Sequence, residues 1–134
     1  MTSDELILLI KQLLIPELYI FPNRFNPIDG YWQRRDMGIE LKVKNDFFQD
    51  VYIEKHKWDS LQQYRNKRYI NYMKMETGRE VIYSFDLNTI PEPEWEWIDQ
   101  PNASNELYTG WVKKQMGRIN IRQGINITDL LLKR

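Results

Sequence analysis

The chain of 134 residues has no cysteine and a single histidine, His56. Without thiols there is no disulfide framework and no thiolate metal site, which suits a reducing compartment. One imidazole cannot furnish a histidine-rich zinc site or a Ser-His-Asp triad. Long hydrophobic runs are missing too. The longest, residues 6–10, is too short to span a bilayer and follows acidic residues rather than the basic region of a leader, so no membrane partner is expected. Nor does one sign of charge dominate: 19 basic and 19 acidic residues give a net charge of zero. That excludes nucleic-acid binding by bulk charge, though not through a local basic face. Internal repeats and low-complexity tracts are absent. Any metal would have to rest on the oxygens of Asp and Glu, a donor set that suits Mg²⁺ or Mn²⁺.

What is present is enough for a core. Hydrophobic residues make up 42% and aromatics 13% of the chain, and its length predicts a single domain over residues 1–134. The charges are unevenly spread. Residues 42–79 hold nine Lys/Arg against five Asp/Glu, and residues 105–134 hold six against two. The intervening stretch 91–105 carries prolines, Glu92, Glu94, Glu96 and Asp99, and the pair Trp95 and Trp97.

Thr2 and Glu5 have capping-box spacing at the head of a helix that Pro16 closes, with Leu6, Leu9, Ile10, Leu13 and Leu14 as its apolar stripe. A short strand over 18–21 follows. Two β-capable runs, 27–32 and 37–43, flank the polar tetrapeptide Gln33-Arg34-Arg35-Asp36 and predict a hairpin. Residues 45–50 read as a loop in which Phe47 and Phe48 dip into the core, and 51–53 as extended. Residues 54–66 read as a helix buried through Trp58, Leu61 and Tyr64. Residues 69–75 and 80–87 form a second hairpin around Glu76-Thr77-Gly78-Arg79. The acidic stretch reads as an excursion anchored by its tryptophans. Residues 108–116 and 119–127 are strand or irregular, and Thr128 starts a short helix. This order predicts an α/β fold, a mixed central β-sheet flanked by helices.

The first hairpin makes a geometric claim. With Arg34 and Arg35 at the two turn positions, Trp32 pairs with Met37 and the ladder ends with Asp29 opposite Glu40. Cross-strand partners share a face with Cβ atoms about 4.5–5.5 Å apart. Lys42 projects from that face as well, because strand periodicity is two, while Leu41 turns to the core. Two carboxylates so close repel unless neutralised, and a divalent cation would do this directly. Two acids, a cation and an amine suit hydrolysis of a phosphodiester.

Pro27-Ile28-Asp29, ten intervening residues and then Glu40-Leu41-Lys42 resemble the PD-(D/E)xK motif of the restriction-endonuclease-like nuclease superfamily. The resemblance covers residues 4–87: a helix, a hairpin carrying the acids, a second helix, then further strands. It departs from the pattern at Ile28, which interrupts the Pro-Asp dipeptide; Asp36, the alternative aspartate, sits in the turn. The resemblance implies a restriction-endonuclease-like core and a Mg²⁺- or Mn²⁺-dependent nuclease acting on DNA. Asp29 and Glu40 would be its metal ligands and Lys42 its catalytic lysine. Members often add an acid from the first helix, for which Glu5 and Glu17 are the candidates. The small size suits a phage-type protein in the host cytoplasm or the virion.

Lys44, Lys55 and Lys57 are the residues expected to hold nucleic acid beside the acids. Glu54 and Glu5 are explained as well by helix electrostatics and capping. Against the enzyme stands a non-catalytic use of the fold, as a nucleic-acid-binding or assembly component. Residues 91–104 would then meet the basic segment 106–134 of a neighbouring subunit in a homo-oligomer or virion.

Overall fold

A computed structural model describes residues 1–22, 27–101 and 111–132. Helix α1 (Ser3–Leu13) opens on the expected capping box, Thr2 accepting from the Glu5 amide and Glu5 accepting from the Thr2 amide. Lys11 Nζ closes it by donating to the carbonyls of Pro16 and Leu18. Its buried face is Leu6, Ile7 and Ile10. Leu13 and Leu14 are exposed, a correction to the expected stripe. Leu13 is the last residue of the helix and Leu14 its C-cap, whereas Ile7 sits against Gly30, whose missing Cβ lets the Ile7 and Leu18 methyls approach to within 3.3 Å of where a Cβ would stand. The burial therefore centres on Ile7.

The chain continues as β1 (Tyr19–Ile20), β2 (Gly30–Trp32), β3 (Met37–Lys44), β4 (Asp50–Glu54), α2 (Lys55–Leu61), β5 (Asn66–Lys74) and β6 (Glu80–Asp86). It ends with β7 (Glu96–Pro101), β8 (Trp111–Asn120), β9 (Ile125–Asn126) and α3 (Thr128–Leu131). A six-stranded sheet has the order β1-β2-β3-β5-β6-β9, mixed because β3 and β5 run parallel. A separate three-stranded antiparallel sheet has the order β4-β8-β7. The fold is mixed α/β, as expected; the second sheet was not foreseen. No helix among the described residues is long and apolar enough to cross a membrane.

Strand parity divides the interior. Met37, Ile39 and Leu41 of β3, with Ile70 and Tyr72 of β5, pack on α1 and α3. On the other face of the large sheet, Tyr69, Met73, Val81 and Phe85 meet Val51, Ile53 and Ile119 of the small sheet and Trp58 and Leu61 of α2. The even-numbered residues of β3 face this second layer.

The first hairpin has the expected register, Trp32↔Met37, Tyr31↔Gly38 and Gly30↔Ile39. Its turn is a single 3₁₀ turn, Gln33–Arg35, followed by Asp36 in the left-handed region at φ 45°. Asp36 then ends the second helix early: its Oδ2 accepts from the Arg65 amide and its carbonyl from the Asn66 amide. That starts β5 where helix was expected to continue, so α2 stops at Leu61. The second hairpin turns at Gly78, φ 87°, as its sequence predicts.

The acidic stretch is not a free excursion. Residues 96–101 form β7 on β8, with Asp99 opposite Lys113 and Glu96 3.8 Å from Arg118. Acidic residues of this stretch thus lie beside basic residues of the same chain. Trp95 packs edge-on against Trp58, centroids 6.0 Å apart, and covers Gly117. Trp97 instead pairs with Gln115 inside β7 and is 67% exposed, against the expectation that it anchors the stretch. Phe47 packs against the core, whereas Phe48 is exposed. The break expected at residues 117–118 lies inside the continuous β8. The expectation for 102–110 falls outside the described residues.

Candidate active site

Asp29 and Glu40 meet where the first hairpin enters the layer between the two sheets. The Asp29 amide donates to the Ile39 carbonyl, extending the β2–β3 ladder by one residue. Its carboxylate then takes the place of a main-chain acceptor: Asp29 Oδ2 accepts from the Leu41 amide at 2.8 Å. Glu40 Oε1 accepts from the same amide at 3.2 Å. One N–H is therefore shared by two carboxylates.

Glu40 is 5% exposed. Burial, a hydrogen bond from its carboxyl to Asp29 and the charge of Asp29 push it up to about 9. Its Oε2 has no hydrogen bond of normal geometry among the described residues; its counter-charge is Lys57 Nζ at 3.2 Å. Lys57 comes from the first turn of α2 and also donates to the Pro27 carbonyl at 3.0 Å, tying the helix to the strand that precedes Asp29. A buried carboxyl held so far from its ordinary ionisation is a costly way to fill a core position, and such groups concentrate at functional sites.

These residues line a cleft of about 250 Å³ between the sheets, walled by Leu41, Lys42 and Val43 of β3, Tyr52, Ile53 and Glu54 of β4, Tyr69 of β5 and Met116 of β8. Lys42 projects into it on the Glu40 side of the strand, as parity requires. Glu54 lines the same cleft, but its carboxylate is engaged by Lys114 at 3.0 Å and His56 at 3.3 Å. Burial raises its pKa, yet the Lys114 hydrogen bond and the charges of Lys114, His56 and Lys42 outweigh it and hold Glu54 low.

The sequence-predicted residues thus separate. Asp29, Glu40 and Lys42 share one cleft. Lys57 joins them through Glu40 rather than standing apart as a phosphate grip. Lys55, two residues earlier, is held by Asp59 at 2.8 Å and lies over the Trp95 ring, outside the cleft lining. Lys44 lies beyond Lys42, in an adjoining cavity. Glu5 serves its capping box and Glu17 pairs with Arg34 at 3.3 Å; neither lines the cleft. Asp36 is committed to Tyr31 and the start of β5. Sequence reasoning missed Tyr52, Tyr69 and Met116 as cleft residues. Their one signal, the pairing of β4 with β8 and of β5 with β3, exists only in the fold.

Comparison of the chain with protein-family models and with curated proteins gave no match, so the site is interpreted on its own geometry. Among the described residues no three His, Cys, Asp or Glu side chains gather around one point. A divalent ion here would have two carboxylates, with water and substrate completing its shell, the manner in which Mg²⁺ is commonly held. Asp29 Oδ2 and Glu40 Oε1, brought together on the Leu41 amide, fit that role.

Proposed function

We propose that this protein is a metal-dependent nuclease that hydrolyses phosphodiester bonds of DNA, with Asp29 and Glu40 holding Mg²⁺ or Mn²⁺. The observation that carries the reading is the pair itself: two carboxylates on one N–H, one of them buried with Lys57 Nζ 3.2 Å from its Oε2. Lys57 alone leaves Glu40 pushed up to about 9, so two anions at this point call for a further cation. The order helix, acid-bearing hairpin, crossover helix and further strands supports a restriction-endonuclease-like core for residues 4–87.

When bound, the ion supplies Lewis acidity to a phosphoryl oxygen and acidifies a water. The chain supplies the rest. Asp29 and Glu40, anchored together on the Leu41 amide, would hold that ion and through it set where the phosphate sits. Lys42, one strand repeat along, places an ammonium beside the reacting phosphate. There it orients the attacking water and offsets charge that develops on the phosphoryl oxygens as the leaving oxygen departs. Lys57 holds Glu40 at the mouth of α2, and the walls from β4 and β8 limit access of bulk water.

The test is strand cleavage of plasmid and single-stranded DNA with Mg²⁺ or Mn²⁺ supplied. Wild-type protein is expected to cleave, and Asp29→Ala and Lys42→Ala each to lose at least about a hundredfold in rate, the scale on which positioned acid–base and electrostatic groups contribute. Cleavage that survives both substitutions would remove this mechanism.

A further inference from the structure

Next to the acid-bearing cleft is a second cavity of about 220 Å³ that shares Lys42, Tyr52 and Met116 with it. Its position follows from strand register. In the parallel pair β3–β5, Glu40 lies beside Tyr69, Lys42 beside Asn71 and Lys44 beside Met73. The two cavities are therefore successive rungs of one face, with Lys42 between them. The second is walled by Met73, Met116 and Phe48 and is more apolar than the first.

Two features there lack an explanation in the fold. Asn71 is 1% exposed, lines the cavity, and its Nδ2 has no hydrogen-bond acceptor. Its polar neighbour, the Tyr69 hydroxyl, donates to the Tyr52 carbonyl at 2.6 Å and can accept from one Asn71 N–H, which leaves the second N–H of that amide unspent. A buried amide donor without an acceptor is destabilising, and such groups call for a partner. The second feature is Phe48, exposed at the rim and fixed there by its amide on the Met73 sulfur at 3.4 Å. Lys42 and Lys44, one strand repeat apart, flank both. Burial and the neighbouring Lys42 charge hold Lys44 below the usual lysine range. An incoming anion would relieve that repulsion. The one acid in the lining, Asp50, is turned to Asn120 Nδ2 at 2.9 Å.

We propose that this cavity seats one unpaired nucleobase, stacked on Phe48 and hydrogen-bonded by Asn71, with Lys42 and Lys44 on the phosphates that flank it. The volume is below that of drug-sized sites and suits a single planar ring system. A base can enter such a seat only outside a duplex stack, so the substrate class is single-stranded DNA. The inference rests on the phosphodiester reading of the adjoining cleft, since it makes the seated base the neighbour of the phosphate to be cut.

The experiment is fluorescence anisotropy with a labelled single-stranded DNA of twelve or so nucleotides and its duplex, in EDTA so that no strand is cut. The single strand is expected to bind more tightly than the duplex. Phe48→Ala is expected to weaken it at least about fivefold, the lower end of base–aromatic stacking. Asn71→Leu is expected to weaken binding while leaving Tm unchanged or higher, because it removes the orphan donor; a purely structural Asn71 would give the opposite. If Asn71→Leu fails to fold, the exposed Phe48 decides alone. Equal affinity for strand and duplex, no binding, or unchanged affinity in Phe48→Ala would overturn the seat. Should these binding results hold in a protein that cuts nothing, the hydrolytic reading falls and the seat stands. Cleavage with binding indifferent to Phe48 and Asn71 gives the reverse.

Discussion

Glu40 is the residue on which the site turns, and its protonation makes a prediction about the whole chain. Unfolded, it titrates near its ordinary 4.5; folded, it is pushed up to about 9. Between these values the folded state keeps a proton that the unfolded state has lost. Stability from this group is therefore complete below 4.5 and declines as pH rises toward 9. Going from pH 4.5 to 7 is expected to cost on the order of 3 kcal/mol. Glu40→Gln, which imitates the protonated acid, should flatten this dependence and be more stable than wild type at pH 8. Urea unfolding of both proteins at pH 5 and pH 8 checks it, and parallel pH profiles would reject the assignment. A divalent ion acts in the opposite sense. Millimolar Mg²⁺ should raise the Tm of wild type at pH 8 and leave Glu40→Gln and Asp29→Asn nearly unmoved. On the metal-dependent reading, Glu40 is a stability–activity compromise, weakening the apo fold for the sake of an ion.

At the scale of elements, how much could be read from the sequence depended on how local the cause was. The first hairpin was readable because a polar tetrapeptide and a period of two leave one register that keeps Ile39 and Leu41 in the core. The pairing of Asp29 with Glu40 followed from that alone. The end of α2 was not readable, because the group that stops it, the Asp36 side chain, lies 29 residues upstream of Arg65. Nor was β7. It ends a stretch, residues 91–101, whose prolines and glutamates argue against a strand, and only the basic residues of β8 supply the opposite charges. Lys55 and Lys57 look alike in the sequence, yet their positions on α2 send one to Asp59 and the other to Glu40. Gly117 carries the junction between β8 and the Trp95 cover. A Cβ there would stand 2.3 Å from the Pro93 ring and 2.8 Å from Trp95. Gly117→Ala is expected to destabilise by about 1–3 kcal/mol, as overpacking does, with a change in tryptophan emission at native pH. Unchanged stability and emission would show that the cover is loose.

The whole molecule carries no net charge, so on the nuclease reading a few placed contacts have to hold the nucleic acid. With Lys42 and Lys44 neutralising two phosphates, log K for single-stranded DNA is expected to fall with log salt at a slope of about −1.4. A slope several times steeper, measured by anisotropy between 50 and 200 mM salt, would mean that a wider basic surface such as Lys113 and Arg118 is engaged. The two sheets have one further consequence. Strand β4 lies in the crossover that links β3 to the parallel β5, but its sheet partner among the described residues is β8, more than sixty residues later. During synthesis the acid pair therefore leaves the ribosome long before the wall that closes over it. On the phosphodiester reading, the order of translation leaves the cleft unfinished until the last third of the chain, which brings Met116, has emerged.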